Sequence, residues 1–292
     1  MTDWQVLAEK LSAKTGRPPG GARATPLAGG DINRAFRLDT GGGRYFVKLN
    51  DAAREQMFVA ERAGLEAIEH SATIRVPRVY LTGADERCSY IIMEYIELRG
   101  VVDSARLAES LAAMHACVEA RFGFHCDNTI GSTPQPNDFC DDWIEFWREQ
   151  RLGFQLALAA ENGMPPRLID SGARLAQDLD RLFDDYRPRA SLLHGDLWSG
   201  NRGADDNGEP VIFDPACYYG DHEAELAMME LFGHPGERFF AAYRERFPID
   251  VGYPLRRDLY NLYHLLNHAN LFGGGWAGQA QGVIDRLLAQ VA

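Results

Sequence analysis

The segment His194-Gly195-Asp196-Leu197-Trp198-Ser199-Gly200-Asn201, followed by Val211-Ile212-Phe213-Asp214-Pro215, constrains this chain more than any other. It sets a carboxylate, a side-chain amide five residues on and a second carboxylate thirteen residues beyond that. Phosphoryl transfer needs this set. One carboxylate accepts the proton of the attacking hydroxyl, while an amide and a second carboxylate hold magnesium on the nucleotide phosphates. The histidine two residues before the first carboxylate completes the H-x-D-x-x-x-x-N spacing of a kinase catalytic loop.

The rest of the chain supplies a setting for those loops. Residues 4–14 repeat apolar positions at helical spacing. Residues 22–50 read as short strands around turns, with 35–38 and 45–49 forming a hairpin across Asp39–Gly43. A helix is expected over 51–70 with Asp51 as its cap, then strands over 79–81 and 90–96. Past Leu98 helical patterns dominate, at 103–120, 138–161, 166–186, 221–231, 237–247, 255–272 and 277–291, with one short strand at 211–213. The pattern predicts an α+β chain of two lobes with a cleft between them. Residues 1–97 form a small antiparallel-sheet lobe and residues 98–292 a larger, mainly helical one.

Composition narrows the partners. Thirty basic against 42 acidic residues leave a formal charge of −12, which argues against nucleic acid or an anionic membrane. The five cysteines form no C-x-x-C pair, and no leader or membrane-length apolar run is visible, so reduced thiols in the cytoplasm are expected. Lysine occurs only at positions 10, 14 and 48 in a chain that otherwise uses arginine. A compact ammonium fits between phosphate oxygens where a planar guanidinium does not.

Lys48 falls inside the strand 45–49, placed to reach the α- and β-phosphates of a nucleotide, and Glu61 on the next helix is placed to pair with it. Asp196 is the expected base, with Asn201 and Asp214 the magnesium ligands. Gly29 and Gly30 form the expected phosphate turn. Met93, Glu94 and Tyr95 belong to a connector whose backbone would hold adenine. Each has a plainer reading alone: an edge-strand lysine, a solvated glutamate, turn-forming Asp and Asn, an Asp before proline. Their joint order favours an ATP- and Mg²⁺-dependent phosphotransferase.

With those residues in place, the chain resembles the fructosamine (ketosamine) kinase family, relatives of aminoglycoside phosphotransferases within the protein-kinase-like superfamily. Residues 192–201, Phe213-Asp-Pro-Ala216 and the run from Tyr218 to Ala227 carry the resemblance, with Gly29–Asn33, Phe46–Asn50, Met57–Glu61, Phe122–His125 and Asp141–Trp143. Trp198 and the Tyr-Tyr-Gly-x-x-Glu run distinguish this family from the wider superfamily. The resemblance implies a two-lobed kinase-like fold and ATP-dependent phosphorylation of a ketoamine sugar at its 3-hydroxyl. Fructosamines or ribulosamines are the implied acceptors, and the implied role is protein deglycation. A free or protein-bound ketoamine is the expected partner, and a monomer or weak dimer the expected state. Two competitors stay open: another small-molecule kinase, such as an aminoglycoside phosphotransferase, and an inactive nucleotide-binding scaffold.

For the acceptor side, Trp198 serves either as a sugar-stacking ring or as a core brace. Asp142, Asp221 and Glu223 are candidates for the substrate amine, although Asp142 and Asp221 suit helix caps equally well. His268 either faces the acceptor or is structural, and His115 reads as a brace. The late helix has Ala269 and Leu271 where related sequences tend to carry Trp and His.

Overall fold

Leu7, Ala8 and Leu11 form the buried face of the first helix, α1 (Trp4–Thr15). Asp3 caps it by accepting the N–H groups of Gln5 and Val6, and Gly16 ends it in the left-handed region at φ 72°. The computed structural model describes residues 2–28, 32–99 and 102–292. Their packing divides the chain into two compact units, residues 1–103 with 202–215, and residues 104–201 with 216–292. Where the sequence suggests one boundary after residue 97, the chain leaves the second unit after Asn201 and rejoins it at Ala216.

In the first unit, α1 is followed by β1 (Arg23–Pro26), β2 (Arg34–Thr40), β3 (Gly43–Asn50), α2 (Glu55–Ser71), β4 (Val79–Ala84) and β5 (Ser89–Glu94). The strands form one antiparallel sheet in the order β1-β2-β3-β5-β4. Strand alternation decides which residues meet the α1 side: Tyr45, Val47 and Leu49 join Leu7, Leu11, Tyr90 and Ile92 in one apolar cluster. Lys48, paired with Ile91, therefore faces the opposite side. The hairpin is longer than expected, with the β2–β3 register running from Arg34↔Leu49 to Thr40↔Gly43.

Asp51 does not cap a helix with its side chain. A 3₁₀ turn, Ala52–Arg54, intervenes before α2, and the Asp51 carbonyl accepts from Arg54 N and Ser89 Oγ. On α2 the residues Phe58, Glu61, Leu65 and Ile68 share the buried stripe, so a carboxylate sits where the period calls for an apolar side chain.

The second unit begins with α3 (Ser104–His115), then β6 (Val118–Glu119), β7 (Asn128–Ile130) and β8 (Thr133–Gln135). The sequence pattern gives helix or loop here, because each of these strands is too brief to show an alternating pattern. The helix expected over 138–161 is split into α4 (Trp143–Trp147), a π-helical turn (Arg148–Gly153) and α5 (Phe154–Glu161). At the π turn the fully buried Arg151 lies over the Phe146, Tyr218 and Tyr263 rings and donates to Pro136 O and Asn137 Oδ1. After α6 (Pro166–Gln177) and a 3₁₀ turn (Leu179–Leu182) comes β9 (Ala190–Leu193).

The chain then enters the first unit as the hairpin β10 (Arg202–Ala204) and β11 (Pro210–Ile212), tied to it by Ile212 N donating to Arg75 O and by Arg99 N donating to Ala204 O. It returns as β12 (Tyr218–Gly220), α7 (His222–Leu231), α8 (Glu237–Arg246), α9 (Tyr253–Phe272) and α10 (Trp276–Gln290). The order β12-β9-β6 makes a small antiparallel sheet, and β9 is buried along its length. No helix among the described residues is long and apolar enough to cross a membrane.

Candidate active site

In the first unit the Lys48 ammonium lies 2.6 Å from Glu61 Oε1 and 2.5 Å from Asp214 Oδ1. The lysine is 5% exposed. Burial works against its charge, but the attraction of Asp214 and Glu61 raises its pKa above the usual lysine range, so it is held protonated. Burial pushes the Glu61 carboxyl above its ordinary range, against the pull of Lys48. Asp214 sits at φ +61°, a conformation uncommon outside glycine, and its carboxylate remains partly exposed.

In the second unit the loop after β9 is fixed mainly through backbone atoms. Gly195 has φ +82°, and a Cβ there would come within 2.1 Å of the Ala216 carbonyl oxygen, so only glycine fits. The Glu225 carboxylate accepts from His194 N at 3.0 Å and Gly195 N at 2.7 Å. Its Oε2 also meets His115 Nε2 at 3.1 Å, while His115 Nδ1 meets Tyr243 Oη at 2.6 Å. Burial disfavours the Glu225 charge, yet the bond and charge of His115 and the backbone N–H of His194 hold its pKa below the ordinary range. His115 is thus a brace, as expected.

Asp196 N donates to His194 Nδ1 at 3.2 Å, which assigns the histidine proton to Nε2. Asn201 Nδ2 donates to Asp196 O at 2.8 Å and Asp196 Oδ2 at 3.1 Å. The amide nitrogen therefore faces the carboxylate and the amide oxygen is left for another ligand. Trp198 is 41% exposed, its indole lying against Gly200, so it is not a core ring.

Other expected residues fall differently. Asp142 is exposed and caps α4 by accepting from Glu145 N. Glu223 is buried, bonded to Arg256 Nε at 2.8 Å and to Asp250 N, which removes it from any solvent-facing amine site. Burial and the charge of Asp221 push its pKa up to about 7, against the pull of Arg256. His268 is half-buried among aromatic rings. Met93 is buried at the end of β5, and Glu94 commits its N–H to Arg78 O and its carboxylate to Arg75, leaving Tyr95 as the half-buried connector residue. Gly29 and Gly30 lie outside the described residues. Sequence reasoning missed Glu225; its spacing of two from Glu223 offered no signal as to which was which.

This fold, with a sheet lysine paired to a helix glutamate and a braced H-G-D loop, defines a protein-kinase-like phosphotransferase. An aminoglycoside phosphotransferase, APH(4)-Ia, solved with ADP and hygromycin B, has the same fold: TM-score 0.64, 21% identity, 99% of each chain covered. A solved fructosamine-3-kinase-type structure from Haemophilus somnus 129PT superposes at TM-score 0.87 with 28% identity, over 97% of this chain and 96% of that one. A "probable ketoamine kinase" of Synechocystis is 46% identical over 291 residues, 98% of this chain and 97% of the relative. The chloroplastic protein-ribulosamine 3-kinase of Arabidopsis thaliana is 47% identical over 266 residues, 90% of this chain and 81% of that protein. The sequence profile of the fructosamine kinase family matches residues 3–290, and the chain belongs to that family.

Proposed function

We propose that this protein transfers the γ-phosphoryl group of ATP to the 3-hydroxyl of the sugar part of a ketosamine. The observation that carries the reading is the Asp196 carboxylate, backed by Asn201 and presented by a loop that Gly195 and Glu225 hold in one conformation. Asp196 accepts the proton as the hydroxyl oxygen bonds to phosphorus and the bond to ADP breaks. Lys48, positioned by Glu61, contacts the nucleotide phosphates, and Gly29, Gly30 and the connector at 93–95 are the further nucleotide contacts of this proposal.

The donor chemistry fits magnesium. Asn201 offers an amide oxygen and Asp214 a partly exposed carboxylate oxygen, hard ligands of the kind Mg²⁺ takes alongside substrate phosphates. Among the described residues no group of three or more His, Cys, Asp or Glu could hold a metal without such phosphates. Bound there, the ion would neutralise phosphate charge.

Phosphate on C3 is a leaving group next to the C2 carbonyl, expelled through the enol form, after which hydrolysis frees the amine. The proposed role is therefore repair of glycated amines, in the cytoplasm, a setting that suits five unpaired cysteines. An acceptor panel tests it. Purified protein with Mg-ATP should release ADP faster with a ribulosamine or fructosamine than with kanamycin or a protein lacking sugar adducts. The reverse order would sink the ketosamine assignment in favour of an aminoglycoside kinase.

A further inference from the structure

Four aromatic rings gather beside the Asp196 loop, and none of them is buried. The His268 ring lies 4.8 Å from Phe232, 4.8 Å from Trp276 and 5.6 Å from Phe272, one helical turn on. Phe272 is 60% exposed at the end of α9. The cluster abuts the loop directly: Phe232 O accepts from Ser199 N at 3.1 Å, and the Gly233 backbone packs against the Ser199 side chain. A partly exposed cluster of rings beside such a loop is a candidate recognition surface.

The imidazole adds a polar feature. His268 Nδ1 meets the His264 carbonyl at 2.8 Å, and a carbonyl only accepts, so the proton sits on Nδ1. In the neutral ring Nε2 is then an acceptor, and it has no hydrogen-bond partner among the described residues. Ring faces together with an acceptor nitrogen are what an alkylammonium group seeks.

We infer that Phe232, His268, Phe272 and Trp276 form a subsite for the protonated secondary amine of the acceptor and the first carbons of its carrier. The inference rests on the ketosamine reading. In such a substrate the amine nitrogen is only roughly 5 Å along the chain from the 3-hydroxyl. With that hydroxyl on Asp196, the amine and its carrier must leave across surface adjoining the loop.

The test compares two acceptors, the ketoamine of a sugar on Nα-acetyl-lysine and the corresponding free ketose, which lacks the ammonium. The wild type should favour the ketoamine in kcat/KM. In Trp276→Leu and Phe272→Ala the ratio of the two values should fall, by about tenfold in the double variant, the combined size of two solvent-exposed cation–π contacts. His268→Phe, which keeps a ring and removes the acceptor nitrogen, should also lower it. Because Phe272 is largely exposed, its variant also guards against misfolding as the cause. A ratio unchanged in the variants, with both acceptors weakened alike, overturns the subsite and points to sugar stacking instead. A wild type that uses the ketose and shows no preference for the ketoamine overturns it too. No ketoamine turnover by the wild type overturns the functional reading on which the subsite stands.

Discussion

In the loop from His194 to Asn201, the carboxylate that supports Asp196 comes from no more than 31 residues away and acts on backbone N–H groups. The Lys48 ammonium is held by side-chain carboxylates alone, one of them 166 residues away. Backbone anchoring fixes direction, because neither Gly195 nor the peptide groups flanking it can rotate freely. Charge anchoring fixes position more loosely and leaves the lysine able to exchange one oxygen partner for another. In the proposed mechanism, a base that must meet one proton suits the first arrangement, and a cation that must follow moving phosphates suits the second.

The largest expected effect removes the proposed base. Asp196→Asn should lower kcat by at least roughly 100-fold, as for loss of a general base, while nucleotide binding persists. Near-normal turnover would remove Asp196 from the mechanism and dissolve the comparison.

Next comes a contrast between the two supports. Glu225→Gln presents an amide where the loop needs an acceptor, so kcat should fall by roughly tenfold or more through misplacement of Asp196. Its Tm should fall by roughly 5 °C, since a buried N–H loses its partner. Glu61→Gln leaves Lys48 its Asp214 contact, and the loss should appear as a rise of roughly tenfold in KM for ATP. If both variants changed the same kinetic constant, the distinction between directional and charge anchoring would fail.

How much of this was legible in the sequence follows from the same difference. The loop pair is local, and its spacing alone named Asp196, Asn201 and Asp214. The pattern places Lys48 in a strand and Glu61 on the next helix, while only the fold shows Lys48 turned away from Tyr45, Val47 and Leu49 and Glu61 within a buried stripe. Tertiary contacts were not legible. Glu223 and Glu225 are both buried on α7, and only the position of Arg256, 33 residues on, makes the first structural. Short strands such as β7 and β8 are stabilised by buried side-chain bonds, Gln135 to Asn128 and Tyr263 to Gln135, that no local pattern announces. The π turn likewise follows no periodicity.

The smallest effect concerns Glu223 itself and checks that it serves the fold, not the acceptor. Its pKa is about 7 in the folded protein against an ordinary 4.5, through burial first and the Asp221 charge second. Between those values the folded protein keeps a proton that the unfolded chain releases. Stability contributed by this group is therefore fully present below about pH 4.5, declines as pH rises through the window and is level above about 7. In Glu223→Gln that contribution to the slope is absent. The Tm difference between wild type and variant should accordingly shrink from pH 4.5 to 7, measured by calorimetry in matched ionic strength, and then stay constant. A difference independent of pH would mean that Glu223 is ionised throughout, as a carboxylate open to solvent and to a substrate amine would be.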